Sequence, residues 1–297
     1  MTKETMRFSE DRLARLLCSD GVERTIHVWQ PQGAAPRAVL LALHGGMAHA
    51  GDYVTPALYF RQHGIATVSF DMVGHTGQRK VDIPSFAQFL ADAELFLAWV
   101  KAAYPAVPVF VMGHSMGGLI ATHLGLGRFR DDPAIRGVIL SSPYYVNAIP
   151  VPKVLQLLSG VLARYFPTMP VPLGSLTMLL THDAAITQRH FDDERDGIRA
   201  SAASVRFAHA LTTAQKALAG GLSGWTLPLF AAVAGDDKLA SRRATEAMLR
   251  GVPAPLLDYR LYPANFHENF NEVNREEIFA AILAWTEKLL APVDGSA

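Results

Sequence analysis

The stretch VPVFVMGHSMGGLIATHLG, residues 107–125, decides how the chain folds. Val107 to Met112 have the length and β-rich character of a buried strand, and GLIATHLG has the texture of a helix. Between them stands only Gly113-His114-Ser115-Met116-Gly117. A strand that turns directly into a helix crowds its own backbone, so Gly113 and Gly117 are expected where a β-carbon would strike neighbouring elements. The same corner lifts the Ser115 hydroxyl clear of the sheet edge, a setting that gives Gly-x-Ser-x-Gly a meaning it lacks as a bare pattern. A serine that merely caps a helix start is the plain alternative.

Working outward, the rest of the chain repeats the strand-then-helix rhythm. RLARLLC and VERTIHVW flank Ser19-Asp20-Gly21 and read as a hairpin. Further strand-length apolar runs follow at 37–44, 64–71, 107–113, 136–142, 226–235 and 254–262. Between most of them lie helical stretches such as SFAQFLADAELFLAWVKAAY, in which Phe86, Phe89, Leu90, Ala93, Phe96, Leu97 and Val100 mark one face. EEIFAAILAWTEKLL is the last of these. Alternation of this kind predicts an α/β fold, a mostly parallel central sheet flanked by helices.

One interval breaks the pattern. From about Tyr144 to Gly224 no clean strand is expected, and residues 149–180 hold only two charges, Lys153 and Arg164. We expect an inserted helical cap over 144–224, the body being 1–143 and 225–297. Val154, Leu155, Leu157, Leu158, Val161 and Leu162 share a helical face opposite Lys153, Gln156, Gly160 and Arg164. Such a face either packs onto the body or meets substrate or lipid, which makes Tyr144, Leu157, Leu158 and Val161 candidate substrate contacts.

Composition narrows the function classes. Half of the 297 residues are hydrophobic and 18% charged, as in a globular protein with a substantial core. Lys+Arg and Asp+Glu balance at 27 each, which gives no electrostatic case for nucleic acid. A single cysteine, Cys18, fits a reducing compartment and excludes internal disulfides. The opening MTKETMRFSEDRLARLL lacks the apolar run of a secretion signal, and no stretch has the length of a membrane span, so a cytoplasmic location is expected.

A serine hydroxyl needs a base to become a nucleophile, and the base needs an orienting acid. On a sheet of this kind the acid and the histidine follow the nucleophile in that order, on loops after later strands. His267, in YPANFHENFNE, is the only histidine beyond the 226–235 strand. The loop after that strand begins Asp236-Asp237; Asp237 is preferred as the acid, with Asp236 the alternative. Asp192, Asp193, Glu194 and Asp196 read as a solvated charge run. For the developing oxyanion the backbone N–H of Met116 is one candidate donor, and Gly46, in LHGGM after the 37–44 strand, is the other.

With these residues placed, the chain resembles the monoglyceride lipase and lysophospholipase branch of the α/β-hydrolase superfamily, the serine aminopeptidase S33-type hydrolases. HGGMAHAGDY supplies His44, Gly45, His49, Gly51 and Tyr53 at the spacing of that branch's oxyanion turn, and GHSMGG matches its elbow. LSSP resembles its entry to the cap, DDKL its acid loop, which favours Asp237, and HENFNE its histidine loop with Glu268, Asn271 and Glu272. Ala48, Val73 and Thr76 depart from the branch's glutamate, arginine and glycine. The resemblance implies a serine hydrolase acting through an acyl-enzyme on single-chain lipid esters, with no cofactor, no metal and possible peripheral membrane contact through the cap. A short-chain carboxylesterase, a peptidase, an acyltransferase and a non-catalytic binding module remain open. His267-Glu268 lacks the second histidine of a zinc motif, and Gly125-Leu126-Gly127 follows a helix instead of a strand, so neither metal nor dinucleotide is implied.

Overall fold

The computed structural model describes residues 6–291. The first five residues of the opening stretch and the expected body's last six, 292–297, lie outside these, as does the side chain of Gln156. In chain order the elements are β1 (Arg12–Leu17), β2 (Glu23–Trp29), β3 (Ala38–Leu43), α1 (Val54–Gln62), β4 (Ile65–Phe70), β5 (Lys80–Val81), α2 (Phe86–Ala103), β6 (Val109–His114), α3 (Met116–Leu126) and β7 (Ile135–Ser141). They continue as α4 (Lys153–Tyr165), β8 (Pro170–Pro172), α5 (Ala184–Arg195), β9 (Ala202–Ser204), α6 (Val205–Ala217), β10 (Leu229–Ala234), α7 (Arg242–Leu249), β11 (Leu257–Tyr262) and α8 (Arg275–Leu290).

The eight strand-length runs in the sequence form one sheet in the order β1-β2-β4-β3-β6-β7-β10-β11. Its first two pairings, β1 with β2 and β2 with β4, are antiparallel; all others are parallel. Because β3 is buried along its whole length, its alternate residues feed two separate cores. Val39, Leu41 and Leu43 join the side covered by α2 and α3, with Phe89, Phe96 and Leu119. Leu40 and Ala42 join the side covered by α1 and α8, with Phe60, Ile278 and Ile282. Each fully buried Leu, Ile or Phe contributes about 1.5–3 kcal/mol, so the two layers dominate the stability of the body.

The parallel arrangement also sends the loops after β3, β6, β7, β10 and β11 to one edge of the sheet. Hydrogen bonds lace two of them together: Gly235 N–H donates to Tyr262 O (2.8 Å) and Asp236 N–H to Asn265 O (3.0 Å).

Between β7 and β10 the chain is mainly helical, but not strandless as expected. β8 and β9 pair antiparallel, and β9 pairs parallel with β5 from the body, forming a second, three-stranded sheet. Strands of two or three residues, one with proline at both ends, carry no periodic signal. A second departure concerns α4. It rests on α6 through its small-residue side, where Ser159 Oγ lies 3.3 Å from His209 Nδ1 and Gly160 faces the same ring. The apolar face that might have packed onto the body points outward instead, with Leu157 83%, Val161 52% and Leu158 44% exposed.

Candidate active site

Ser115 sits at the corner between β6 and α3 with φ 53° and ψ −116°, a backbone conformation costly for a residue with a side chain, about 1–3 kcal/mol. The surroundings hold it there. Its N–H donates to Ser141 O (3.0 Å), and its carbonyl accepts from Leu119 N–H and Tyr144 N–H (3.0 Å each). The glycines perform as their spacing suggests: a β-carbon on Gly113 would lie 2.4 Å from Gly117 O, and one on Gly117 would lie 1.8 Å from Leu43 O. Only glycine therefore lets α3 start this close to β3.

His267, on the loop after β11, reaches the corner. Its Nε2 lies 2.7 Å from Ser115 Oγ, and its Nδ1 lies 2.8 Å from Asp237 Oδ2. Asp237 is almost wholly buried, and its second oxygen accepts from Leu239 N–H (2.8 Å) and Ala240 N–H (2.9 Å). Burial would raise this carboxyl, but the charge of His267 and these hydrogen bonds hold it below the usual carboxylate value. An ionised Asp237 fixes the proton on Nδ1 and leaves Nε2 as the acceptor facing the hydroxyl. Asp236 is half-exposed and pairs with Lys238, so of the two sequence candidates it is Asp237 that meets the histidine.

The turn after β3 comes to the same place. Gly45 approaches the Ser115 and His114 side chains, and Gly46 lies against Met116 and Phe207. Met116 opens α3, so its N–H has no acceptor within the helix. The turn is pinned by His44: Met72 N–H donates to its Nε2 (3.0 Å), which leaves the ring proton on Nδ1 to donate to Gly45 O (2.8 Å). Tyr53 O–H donates to Leu43 O (2.8 Å) beside it. Burial pushes His44 and His114 down to about 4, and His75, with His44 next to it, to about 3. All three are therefore neutral near pH 7, including His114, whose ring lies 4.9 Å from that of His267.

A group of charged residues whose pairing sequence reading did not foresee surrounds this turn. Asp193, expected in a solvated run, is 1% exposed and pairs with Arg7 (3.0 Å) and His49 (3.3 Å). Its signal was the spacing Ile186, His190, Asp193, the buried face of α5. Asp52 pairs with Arg199 (2.7 Å), which also contacts Glu268 (3.3 Å). Ala48 and Val73, which depart from the charged residues of the branch the sequence resembles, are both buried. His49, Asp52 and Asp193 bring ligand atoms within 4.8 Å of one another, but Arg7, Arg189 and Arg199 already pair with their carboxylates, and we assign no metal there. A cavity of about 20 Å³, room for one water molecule, lies between Gly45, Asp52, His114, Glu268 and Asn271.

Of the candidate substrate contacts, Tyr144 borders the site. Burial and then the charge of Asp237 push its phenol up to about 12. Leu157, Leu158 and Val161 lie on the outward face of α4.

A further buried chain supports the turn from below. Asp71 Oδ1 accepts from Ala50 N–H (3.0 Å), and His27 stands between Asp71 Oδ2 (3.6 Å) and Glu10 Oε1 (2.7 Å). Burial alone would lower His27, but Asp71 and Glu10 raise it to about 9. A raised histidine stabilises the fold fully below its ordinary value of 6.5 and loses that contribution as pH climbs to about 9. The unfolding free energy should thus fall by about 2–3 kcal/mol between these limits in the wild type and stay flatter in His27→Gln. Denaturant titrations at both limits check this; equal pH slopes in the two proteins contradict it.

Comparison with known proteins bears on the family and the fold. Residues 34–274 match the family described as serine aminopeptidase, S33. The phospholipase YtpA of Bacillus subtilis (strain 168) is 31% identical over 267 residues, spanning 89% of this chain and all of that protein. Monoglyceride lipase of Rattus norvegicus is 25% identical over 260 residues, 86% of this chain and 83% of its own. The crystal structure of a soluble variant of monoglyceride lipase from Saccharomyces cerevisiae, in complex with a substrate analog, superposes with a TM-score of 0.81 at 20% identity, covering 98% of this chain and 99% of that one. With a match over most of its length and a strand order that carries a serine corner between β6 and α3, the chain belongs to the serine aminopeptidase S33 family of α/β-hydrolases.

Proposed function

We propose that this protein is a serine hydrolase that cleaves carboxylic esters of single-chain lipids through an acyl-enzyme on Ser115. The observation that carries the reading is His267 bridging Ser115 Oγ at 2.7 Å and Asp237 at 2.8 Å. In this reading Ser115 Oγ attacks the ester carbonyl as His267 Nε2 takes its proton, and Asp237 stabilises the imidazolium. The N–H groups of Gly46 and Met116 receive the oxyanion, each such donor being worth about 3–4 kcal/mol in the transition state. Collapse expels the alcohol, which leaves with the proton from His267. Water, deprotonated by the same nitrogen, then attacks the acyl carbonyl and frees the carboxylic acid and Ser115.

Two considerations support the lipid class. YtpA is a phospholipase by name, and relatives in rat and in Mycolicibacterium smegmatis (25% identical over 267 residues) are named monoglyceride and monoacylglycerol lipases. The segment between β7 and β10, which we take as a cap over 144–224, presents an apolar surface in Val154, Leu157, Leu158 and Val161, continued by Tyr165 and Phe166. Among the described residues no helix is long and apolar enough to cross a membrane. From its exposed apolar stripe we assign α4 to peripheral contact with a lipid surface, the stripe buried in the acyl boundary.

A hydrolysis panel tests the chemistry. Rates should rise from acetyl to long-chain esters, extend to monoolein or lysophosphatidylcholine, and exceed those on an aminoacyl amide. Ser115→Ala should lose on the order of 10⁴–10⁶-fold in kcat with the fold unchanged. Full activity in Ser115→Ala overturns the reading, and a fall in rate with chain length overturns the lipid assignment. For the surface contact, flotation with phosphatidylcholine vesicles should show partitioning that drops roughly tenfold or more in Leu157→Asp/Leu158→Asp; unchanged partitioning rejects it.

A further inference from the structure

Residues 180–200 are tied to the body at several places, and two of them lie beside the proposed catalytic groups. Ala200 N–H donates to Met47 O (3.2 Å) in the turn after β3, and Glu268 N–H donates to Leu180 O (2.8 Å) in the histidine loop. Arg199 joins the two places through one side chain. Its Nη1 donates to Asp52 Oδ2 (2.7 Å), five residues after that turn, and its Nη2 donates to Glu268 Oε1 (3.3 Å), next to His267. The guanidinium is 5% exposed, and Asp52 and Glu268 are nearly as deeply enclosed.

The hydrogen bonding around Arg199 has a single consistent arrangement. Arginine only donates, so His190 Nδ1, 3.3 Å from Nη1, must accept. The ring proton is then on Nε2 and donates to Glu268 Oε2 (2.8 Å). Asn271 Nδ2 donates to the same oxygen (2.8 Å). Glu268 is thereby held by two elements from residues 180–200 as well as by its own loop, and it cannot shift without moving His267 beside it. A planar fork with two nitrogens suits this bridge, whereas the single ammonium of lysine does not.

We propose that Arg199 is a positioning residue: by bridging Asp52 and Glu268 it fixes the spacing between the turn that presents Gly46 and the loop that presents His267. The proposal rests on the serine-hydrolase reading for its kinetic consequences and on the contacts alone for its structural ones. His190 stands between the same two carboxylates, 2.8 Å from Glu268 Oε2 and 3.8 Å from Asp52 Oδ1, but its Nδ1 carries no proton to donate to Asp52, so the hydrogen-bonded bridge is made by Arg199. Arg206, in α6, binds Asp82 before α2 (Nε to Oδ1, 2.7 Å) and touches neither loop.

The experiment compares Arg199→Met, Arg199→Lys and Arg206→Met, each checked for folding by thermal unfolding, on a long-chain p-nitrophenyl ester. Misplacing catalytic groups by a fraction of an ångström should lower kcat by about 10- to 100-fold in Arg199→Met while KM changes less than about threefold. Lysine should restore stability but leave kcat about fivefold or more below wild type, since it cannot hold both carboxylates. Arg206→Met should keep wild-type kcat. Amide hydrogen exchange gives a readout independent of turnover: residues 44–53 and 265–272 should exchange faster in both Arg199 variants and not in Arg206→Met. Should Arg199→Met fail to fold, Arg199→Lys carries the test by both readouts. Unchanged exchange in both loops, equal kcat loss in Arg206→Met, or full recovery of kcat by lysine each overturns the bridging role. A wild type that turns over no ester and binds no fluorophosphonate would sink the hydrolase reading instead, and the exchange result would still decide the bridge.

Discussion

Everything in this molecule depends on how closely α3 can start beside β3. The carbonyl of Leu43 occupies the space that a β-carbon on Gly117 would need, so the corner at Ser115 exists only because glycine stands there. The corner in turn sets the hydroxyl at the edge where the loops after β10 and β11 arrive, and where the turn after β3 brings its amides. A parallel sheet delivers all of these to one side. The strained φ of Ser115 is sustained by three backbone hydrogen bonds and by packed layers on both faces of the sheet.

The residues between β7 and β10 divide into two parts of opposite character. Residues 180–200 are clasped by buried charge pairs to the turn after β3 and to the histidine loop, and they carry Arg199 between two carboxylates. Residues 151–169 lie on α6 with their apolar side chains turned out. In the function proposed here, such a division separates placement of the reacting groups from contact with whatever delivers the substrate. Three buried neutral histidines around the site add to the first of these: they contribute shape and hydrogen bonds without adding charge beside His267.

Much of this was legible in the sequence, for reasons that can be named. The six inner strands of the large sheet appear as apolar runs because they are largely buried, and the helices between them show an apolar stripe. Gly113 and Gly117 stand out because steric need leaves no other choice, and Ser115 because it stands between them at a strand-to-helix corner. His267 emerges by elimination along the chain, whereas Asp237 is only preferred to Asp236, since adjacent residues differ only in which way the loop turns them. The second sheet stayed hidden because strands as short as β5, β8 and β9 carry no period. Asp193 was mistaken for a surface charge because acidic neighbours mask a buried member of the run; only its helical spacing from Ile186 and His190 betrays it. Arg199 was out of reach altogether, as its partners lie 147 and 69 residues away and nothing local marks a long-range ion pair. For α4 the stripe was visible, but whether it faces the body or solvent depends on the small residues opposite, which lie against α6.

The most direct measurement is a crystal structure of the protein inactivated by a long-chain alkyl fluorophosphonate. Phosphorus should be bonded to Ser115 Oγ, with its free oxygen about 2.7–3.1 Å from the amide nitrogens of both Gly46 and Met116 and with His267 still seated on Asp237. An adduct on any other residue, or a phosphoryl oxygen directed away from those two amides, would contradict the account.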